Sequence, residues 1–488
     1  MKYEIVGRKN EIRKLDEILA SKGAEFLALY GRRRVGKTYL VRQFFFSQSC
    51  VFFEVTGLKD GGLQTQLELF THAVEETFYK GKVRIQPPKG WIDAFRLLTD
   101  CIKEIPKNKK IVLFFDELPW LASRRSGILQ ALDYYWNTQW SNTANIKLIV
   151  CGSAASWMLD KLIYAKGGLY NRITARIHLL PFTLKETLEY LHYRGIRLNE
   201  PQVIQVYMVM GGIPHYLKSV SKGLSAAQNI DRICFRPEGL LLDEFNHLFA
   251  SLFERSEVHI DIIQALAGQR QGLSREELLK KSKLSSSGGT FKKRLLELEK
   301  AGFIAAFTPY GYANKGTYYR IIDEYTLFYL NWIQPVRKRL HRDSTDYWQS
   351  KSRSQTWKSW AGYAFEALCL KHIEQTCKAL DISSISKEIG SWRYISPPGS
   401  GGSGTQIDLL IDRADGIINI CEIKYYDKKF TIDKSYATKL RHRLETFKEQ
   451  TGTGKQLFLT MITTYGLTEN EYAGELVAKT VTMKDLFK

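Results

Sequence analysis

The chain has 488 residues, 44% hydrophobic and 25% charged, the balance of a globular protein of about three domains rather than of a disordered or fibrous one. Seventy-one Lys and Arg against 51 Asp and Glu give a net charge of +20, which favours a polyanionic partner such as DNA or serves a basic surface kept for solubility. The seven cysteines are scattered and never spaced Cys-x-x-Cys, against zinc and disulfides; the start Met1–Arg8 has no apolar signal core and no apolar run nears the ~18 residues of a membrane span, so a cytoplasmic protein without a membrane partner is expected.

Glu4-Ile-Val-Gly7-Arg8 leads into a helix with Ile12, Leu15, Ile18 and Leu19 on one face. The apolar run Phe26–Tyr30 is a buried strand, followed by Gly31-Arg32-Arg33-Arg34-Val35-Gly36-Lys37-Thr38 and a helix start. This fits the phosphate-binding loop G-x-x-x-x-G-K-T in the strand–loop–helix context that the motif requires. Glycines let backbone N–H groups close around phosphates, Lys37 sets a charge near the β and γ phosphates, and the Thr38 hydroxyl ligates Mg²⁺. ATP and Mg²⁺ are the expected cofactors.

Val51–Val55 reads as a strand, followed by helices from about Gln64 to Tyr79 and from Trp91 to Ile105. Lys110-Ile-Val-Leu-Phe-Phe-Asp116-Glu117 is a buried strand ending in two carboxylates, of which Asp116 would hold Mg²⁺ through water and Glu117 would polarise the attacking water. Short apolar strands alternating with helices point to a parallel sheet covered on both faces. A helix near Gly127–Trp140 precedes the strand Ile146–Cys151 and the turn Gly152-Ser153. Beyond Gly167 come Arg172 and Arg176; arginine here either stabilises charge on a transferring phosphoryl group or forms a salt bridge, and we read Arg172 as the functional one. Gln202–Met210 is an apolar helix that ends at Gly211-Gly212-Ile-Pro214.

Over roughly its first half the chain resembles bacterial and archaeal AAA+ and STAND-like P-loop ATPases, which carry G-R-R-R-x-G-K-T, an h-h-h-D-E strand, a G-S turn, a G-R-x-x-x-x-I-x-L-x-P-F stretch and G-G-x-P. The resemblance implies that Gly7 and Arg8 lie near the adenine, that Ser153 senses the γ-phosphate, and that a winged helix and a nuclease-like domain follow. Ser153 also suits an ordinary turn or helix cap. Asn171-Arg172 stands where Gly-Arg is common, and Gly152-Ser-Ala where Gly-Ser-Ser is common, which bears on the sensor rather than on the nucleotide site.

Ser274-Arg-Glu-Glu277 is a capping box for a helix to Lys281; Ser285–Thr290 leads into the helix Phe291–Gly302. Phe303–Phe307 and Thr317–Ile322 form a β-hairpin wing. Lys292, Lys293 and Arg294 on the second helix suit DNA phosphates, while such modules equally serve as packing elements. Tyr325–Ile333 is an aromatic helix, and the basic run Arg337–Arg342 either meets phosphate or forms a solvated face.

Glu366 sits on a largely apolar helix. Beyond the loop Ser396–Gly404, the strand from Gln406 to Asp412 turns at Ala414-Asp415-Gly416 and returns as Ile417–Lys424. Asp408 and Glu422 are equidistant from Asp415, so a hairpin centred there sets the two carboxylates opposite each other, with Lys424 on the same face. Such a set can hold Mg²⁺ through Asp408 and Glu422 and activate water. In this order Glu366, Asp408 and Glu422-Ile-Lys424 resemble the PD-(D/E)XK nuclease fold. The helix Lys439–Phe447 either lines a DNA groove or covers the sheet.

The expected fold is α/β: a P-loop ATPase core over 1–182 with a parallel sheet, a helical lid over 183–250, a winged helix over 251–335, and a C-terminal α/β restriction-endonuclease-like domain over 336–488. The expected function is an ATP-hydrolysing switch that acts on DNA and repositions a Mg²⁺-dependent nuclease domain. The alternative is a non-cleaving regulatory ATPase that binds nucleic acid or a protein partner; a homo-oligomer stays open.

Overall fold

The computed structural model describes residues 4–123, 125–164, 168–269, 271–282, 289–311, 316–339, 347–394 and 404–488. Gly167, most of the Ser285–Thr290 linker, positions 340–342 of the basic run and all but the last residue of the Ser396–Gly404 loop lie outside the described residues. The chain divides into two compact units, 1–181 with 251–254, and 182–250 with 255–488. No described helix is long and apolar enough to cross a membrane.

In the first unit five apolar runs form one sheet: β1 Glu25–Tyr30, β2 Cys50–Thr56, β3 Lys110–Asp116, β4 Ile146–Gly152 and β5 Ala175–His178. Their order is β2-β3-β4-β1-β5, and every pair is parallel. Phe26, Leu113, Phe115, Leu148 and Val150 are wholly buried, as expected where helices cover both faces of a parallel sheet. The helix Leu63–Tyr79 brings Phe70 and the helix Trp91–Lys103 brings Phe95 into that core, where both rings meet the Trp91 ring. Because all strands run one way, the ends of β1, β3 and β4 share one rim. With β4 between β1 and β3, the residue after β4 is set between the glycine loop and the acidic pair.

The second unit opens with helices Leu184–Tyr193 and Glu200–Met210, whose N-termini are capped by Thr183 and Asn199 side chains. Helices Ser256–Leu266, Arg275–Lys281 and Gly289–Lys300 surround a small antiparallel sheet of β6 Leu273–Ser274, β7 Ile304–Phe307 and β8 Tyr318–Ile321 in the order β6-β8-β7. The Ser274–Glu277 capping box forms as its spacing requires. The aromatic segment is α-helical only over Glu324–Phe328 and widens into a π turn at Tyr329–Ile333.

A second sheet comprises β9 Lys387–Tyr394, β10 Thr405–Arg413, β11 Ile417–Lys424, β12 Gln456–Thr463 and β13 Val477–Thr482, in the order β13-β12-β11-β10-β9. β9, β10 and β11 pair antiparallel, whereas β11, β12 and β13 pair parallel. The helix Lys434–Thr451 makes the crossover from β11 to β12. The helix Gln355–Lys371 buries Trp357, Trp360, Ala361, Ala364 and Phe365, a three- and four-residue spacing that gives it one apolar face. Leu184 N donates to His372 Nε2 at 3.1 Å, and burial pushes the His372 ring down to about 4, so it accepts as neutral imidazole.

Candidate nucleotide site and a second acidic site

The glycine loop leaves β1 under tight steric control. Gly31 has φ 152°, and a β-carbon there would stand 2.3 Å from Leu179 O. Gly36, at φ 94°, caps the helix Lys37–Phe46, and a β-carbon there would meet no atom within 4 Å. One glycine thus allows close backbone packing and the other faces open space, at a helix N-terminus, an end whose backbone N–H groups suit phosphate.

Lys37 is buried, and its ammonium donates to Gly31 O, Arg32 O and Ser153 Oγ, each at 3.0 Å. Thr38 Oγ1 donates to Asp116 Oδ2 at 2.7 Å, while Asp116 Oδ1 accepts from Glu117 N at 3.1 Å. Glu117, with φ 47°, accepts from Ser153 N at 3.0 Å and from Ser153 Oγ. The ends of β1, β3 and β4 therefore meet in one chain of contacts, Lys37 to Ser153 to Glu117, beside the pair Thr38 and Asp116. The hydroxyl and carboxylate are hard oxygen donors of the kind Mg²⁺ takes together with phosphate, so the residues fit that ion. Below them Cys151 is fully buried, and burial, reinforced by the Asp116 charge, pushes its thiol well up, which leaves it inert.

Arg8 and the other loop residues make contacts of their own around the loop. Arg8, buried and at φ 57°, donates to Leu180 O at 2.7 Å and to Val35 O at 3.2 Å, so its guanidinium ties the loop backbone to the segment after β5. Gly7 precedes it at φ 66°. Val35 and Arg32 are buried, Arg33 lies 5.9 Å from the Trp120 ring, and Arg34 takes φ 72° to turn the loop. Arg172 is exposed at the end of a 3₁₀ turn, and no hydrogen bond or ion pair brings it to Lys37, Thr38, Asp116, Glu117 or Ser153. Arg176 lies 5.8 Å from the Tyr164 ring.

In the second unit β10 pairs with β11 through Leu409↔Cys421 and Leu410↔Ile420, one step short of Asp408 and Glu422, and the Glu422 charge is felt by Asp408. Lys424 Nζ lies 2.8 Å from Glu422 Oε1, which also accepts from Tyr436 OH, while Arg443 contacts Glu422 Oε2. Burial drives the Glu422 carboxyl up, but Lys424 and Arg443 outweigh it and hold the group below its ordinary value. Asp408 is raised by burial and by the Glu422 charge, although Gln406 donates to Asp408 Oδ1. Glu366 and Asp408 line a cavity of about 250 Å³ with Arg320, Tyr363 and Gln406. Among the described residues no three acidic, histidine or cysteine side chains are placed to hold a metal ion.

Tyr436 and Arg320 had no place in the reading of the sequence, and Arg443 entered it only within the helix Lys439–Phe447, as a residue of a DNA groove or a cover for the sheet. Tyr436 and Arg443 stand seven apart on the helix Lys434–Thr451, two turns on one face, so the spacing was a usable signal. Arg443 turns to Glu422, whereas Arg441 pairs with Glu475 at 2.7 Å. Arg320 comes from β8, and nothing local in the sequence ties it to Asp408.

The parallel sheet, the glycine loop and the acidic strand end define the first unit as a P-loop ATPase domain. The model of an ATPase domain predominantly from Archaea matches residues 5–220, which supports ATPase activity, and a family of archaeal and bacterial proteins of unknown function matches residues 329–436. An uncharacterized protein of Methanocaldococcus jannaschii is 26% identical over 429 residues, covering 87% of this chain and 88% of its own. Among solved structures, the Walker-type ATPase of Pyrococcus abyssi is 19% identical, covers 67% of this chain and 96% of its own, and has a TM-score of 0.47. The Aeropyrum pernix ORC2 protein, solved in ADPNP and ADP complexes, is 16% identical with 72% and 96% coverage and a TM-score of 0.42.

Proposed function

We propose that the chain is an ATP-hydrolysing switch that acts on DNA, in which Mg²⁺–ATP at the first unit controls a nuclease-like second unit. The observation that carries the nucleotide half is the pairing of Thr38 with Asp116 at 2.7 Å beside the Lys37–Ser153–Glu117 chain. Bound Mg²⁺ would neutralise charge on the phosphates and draw its protein ligands from Thr38 and Asp116. Lys37 holds phosphate oxygens, Glu117 orients water, and Ser153 reports the state of Lys37 to Glu117. Arg8, through Val35 O, keeps the loop in register, and Arg172 is proposed to reach the phosphates from its exposed turn. Binding of Gly7, Arg32, Arg33, Arg34 and Val35 to the nucleotide, through side chain or backbone, belongs to the same reading.

The nuclease half rests on Asp408 and Glu422, one step beyond the printed pairs of the β10–β11 hairpin and close enough for the Glu422 charge to reach Asp408, with Glu366 and Lys424 read as their companions, on a hairpin continued by a parallel crossover. The three helices with the β6-β8-β7 sheet are read as a winged helix, its exposed Lys292 and Lys293 suited to phosphate. A second reading, a regulatory ATPase without cleavage, is favoured by one observation: both Glu422 oxygens are engaged by Lys424, Tyr436 and Arg443. Plasmid cleavage with Mg²⁺ and ATP separates the two. The first reading expects nicking that Asp408→Ala and Glu422→Ala abolish; equal nicking by all three proteins, or none by the wild type, leaves the regulatory reading. Stimulation of ATP turnover by duplex DNA tests the proposed partner.

A further inference from the structure

The cavity beside Asp408 lies within the second unit, and its volume of about 250 Å³ is below the ~300–1,000 Å³ that drug-sized ligands fill. The helix Gln355–Lys371 turns Tyr363, Glu366, Ala367, Leu370 and Lys371 to it, a three- and four-residue spacing that keeps them on one face. Ala305 and Phe307 of β7 and Arg320 of β8 form another wall, and they share a face because Ala305 pairs with Arg320 and Phe307 lies two residues along. Ile389 comes from β9, and Gln406 and Asp408 come from β10. Much of this lining is apolar and its polar groups are few, the composition of a site for a small organic molecule.

The charged groups on the wall are satisfied unequally. Lys371 is already taken, donating to both Glu324 oxygens at 2.8 and 2.9 Å. Gln271 donates to Gln406 at 2.6 Å, and Gln406 donates to Asp408 Oδ1. Among the described residues Asp408 Oδ2 accepts no hydrogen bond, and the buried Arg320 Nε has no acceptor. The Arg320 guanidinium carbon stands 4.7 Å from the Phe307 ring; the Asp408 and Glu366 charges reach it, but it forms an ion pair with neither. A cationic donor and an anionic acceptor thus line one small apolar space without meeting each other, an arrangement that leaves both short of the partners a buried polar group needs.

We propose that this cavity takes a free α-amino acid with an aliphatic side chain: Arg320 receives its carboxylate, Asp408 Oδ2 its ammonium, and Ala305, Ala367, Leu370 and Ile389 its side chain. Charge selects the zwitterion. An anion alone would be repelled by Asp408 and Glu366, and a cation alone by Arg320, whereas a zwitterion adds no net charge and gives both unmet groups a charge-assisted hydrogen bond. The Phe307 ring is already covered by the guanidinium, which leaves aliphatic side chains as the apolar surface on offer. The inference needs neither a metal ion nor strand cleavage, so it stands or falls apart from the nuclease reading.

Calorimetry on the full chain tests this with three probes: L-leucine, 4-methylpentanoate, which is leucine without its amine, and 3-methylbutylamine, which is leucine without its carboxylate. The wild type is expected to bind L-leucine at least ~10-fold more tightly than either analogue, the loss of one charge-assisted hydrogen bond. That series needs no variant. Arg320→Met keeps the length of the side chain without its charge, and Asp408→Asn keeps the shape of the carboxylate; each should weaken L-leucine by ~10-fold or more, with circular dichroism matching the wild type. No binding of L-leucine by the wild type, an analogue bound as tightly as L-leucine, or wild-type affinity for L-leucine in either folded variant overturns the site. Plasmid nicking that Asp408→Ala abolishes bears on the nuclease reading alone.

Discussion

Lys37 Nζ stands 3.0 Å from Ser153 Oγ, and the same hydroxyl donates to Glu117, so the residue after β4 joins the phosphate-loop lysine to the carboxylate at the end of β3. The three hydrogens of an ammonium are all used here, on Gly31 O, Arg32 O and Ser153 Oγ. A phosphate oxygen must replace one acceptor. Ser153 is the replaceable one, because the two carbonyls belong to the loop itself. Ser153→Ala should therefore lower kcat for ATP by ~10-fold or more while KM moves little, since Glu117 loses an orienting bond but the phosphate cradle is kept. Steady-state kinetics checks this; a raised KM with unchanged kcat would place Ser153 in binding instead.

Lys37 itself carries more. Lys37→Ala removes the buried cation proposed to hold the phosphates and should raise the dissociation constant for ATP by ~100-fold, about 2.7 kcal/mol. The apolar core of the first unit does not depend on it, so the fold persists by circular dichroism. Calorimetry showing wild-type affinity would contradict the site.

Arg8 spans two carbonyls from opposite sides of the loop, Val35 O and Leu180 O. Hydrogen bonds to a charged group contribute about 1.5–3 kcal/mol, so Arg8→Ala should destabilise the first unit by about 2–3 kcal/mol and weaken ATP binding because Val35 is no longer anchored. Arg8→Lys should recover only part of the loss, since one ammonium cannot match a fork that reaches both acceptors. Thermal melts with and without ATP give both numbers; a melt unchanged in Arg8→Ala would remove the bracing role.

How much of this was legible varies with the range of the interaction. The phosphate loop, the strand ending in Asp116-Glu117 and the hairpin centred on Asp415 follow from local pattern, because each motif is contiguous and its period fixes the facing side chains. Ser153 was legible as a strand-end residue, but its link to Glu117 needed the strand order, which sets β4 between β1 and β3. Arg8 was assigned to the adenine by resemblance; its bonds to Leu180 and Val35 depend on a contact 172 residues away. β9, with Lys387, Glu388 and Arg393 on a half-exposed edge, lacks clean alternation and was missed. Arg320 was invisible for a plainer reason: its meeting with Asp408 is made by the docking of a hairpin, which no sequence period encodes.

The last prediction concerns pH and the helix Gly289–Lys300, whose Glu297 meets groups from its own helix and from the helix Ser256–Leu266. Glu297 Oε2 lies 2.9 Å from His259 Nε2 and 2.8 Å from Arg294, Lys293 lies at 4.0 Å, and His259 is wholly buried with Nδ1 on Arg255 O. Burial raises the Glu297 carboxyl, but the His259 and Arg294 bonds outweigh it and hold it below the ordinary value. A depressed carboxyl stabilises the fold above its unfolded pKa of about 4.3, and that contribution fades as pH falls through the folded value. Glu297→Gln should therefore cost about 1–2 kcal/mol at pH 7 through weakened charged hydrogen bonds, and the gap from wild type should close as pH drops below about 4. Urea unfolding of the two proteins at neutral and acid pH measures the gap. A difference that stays constant across that range would mean that the charge of Glu297 adds nothing to the packing of these two helices.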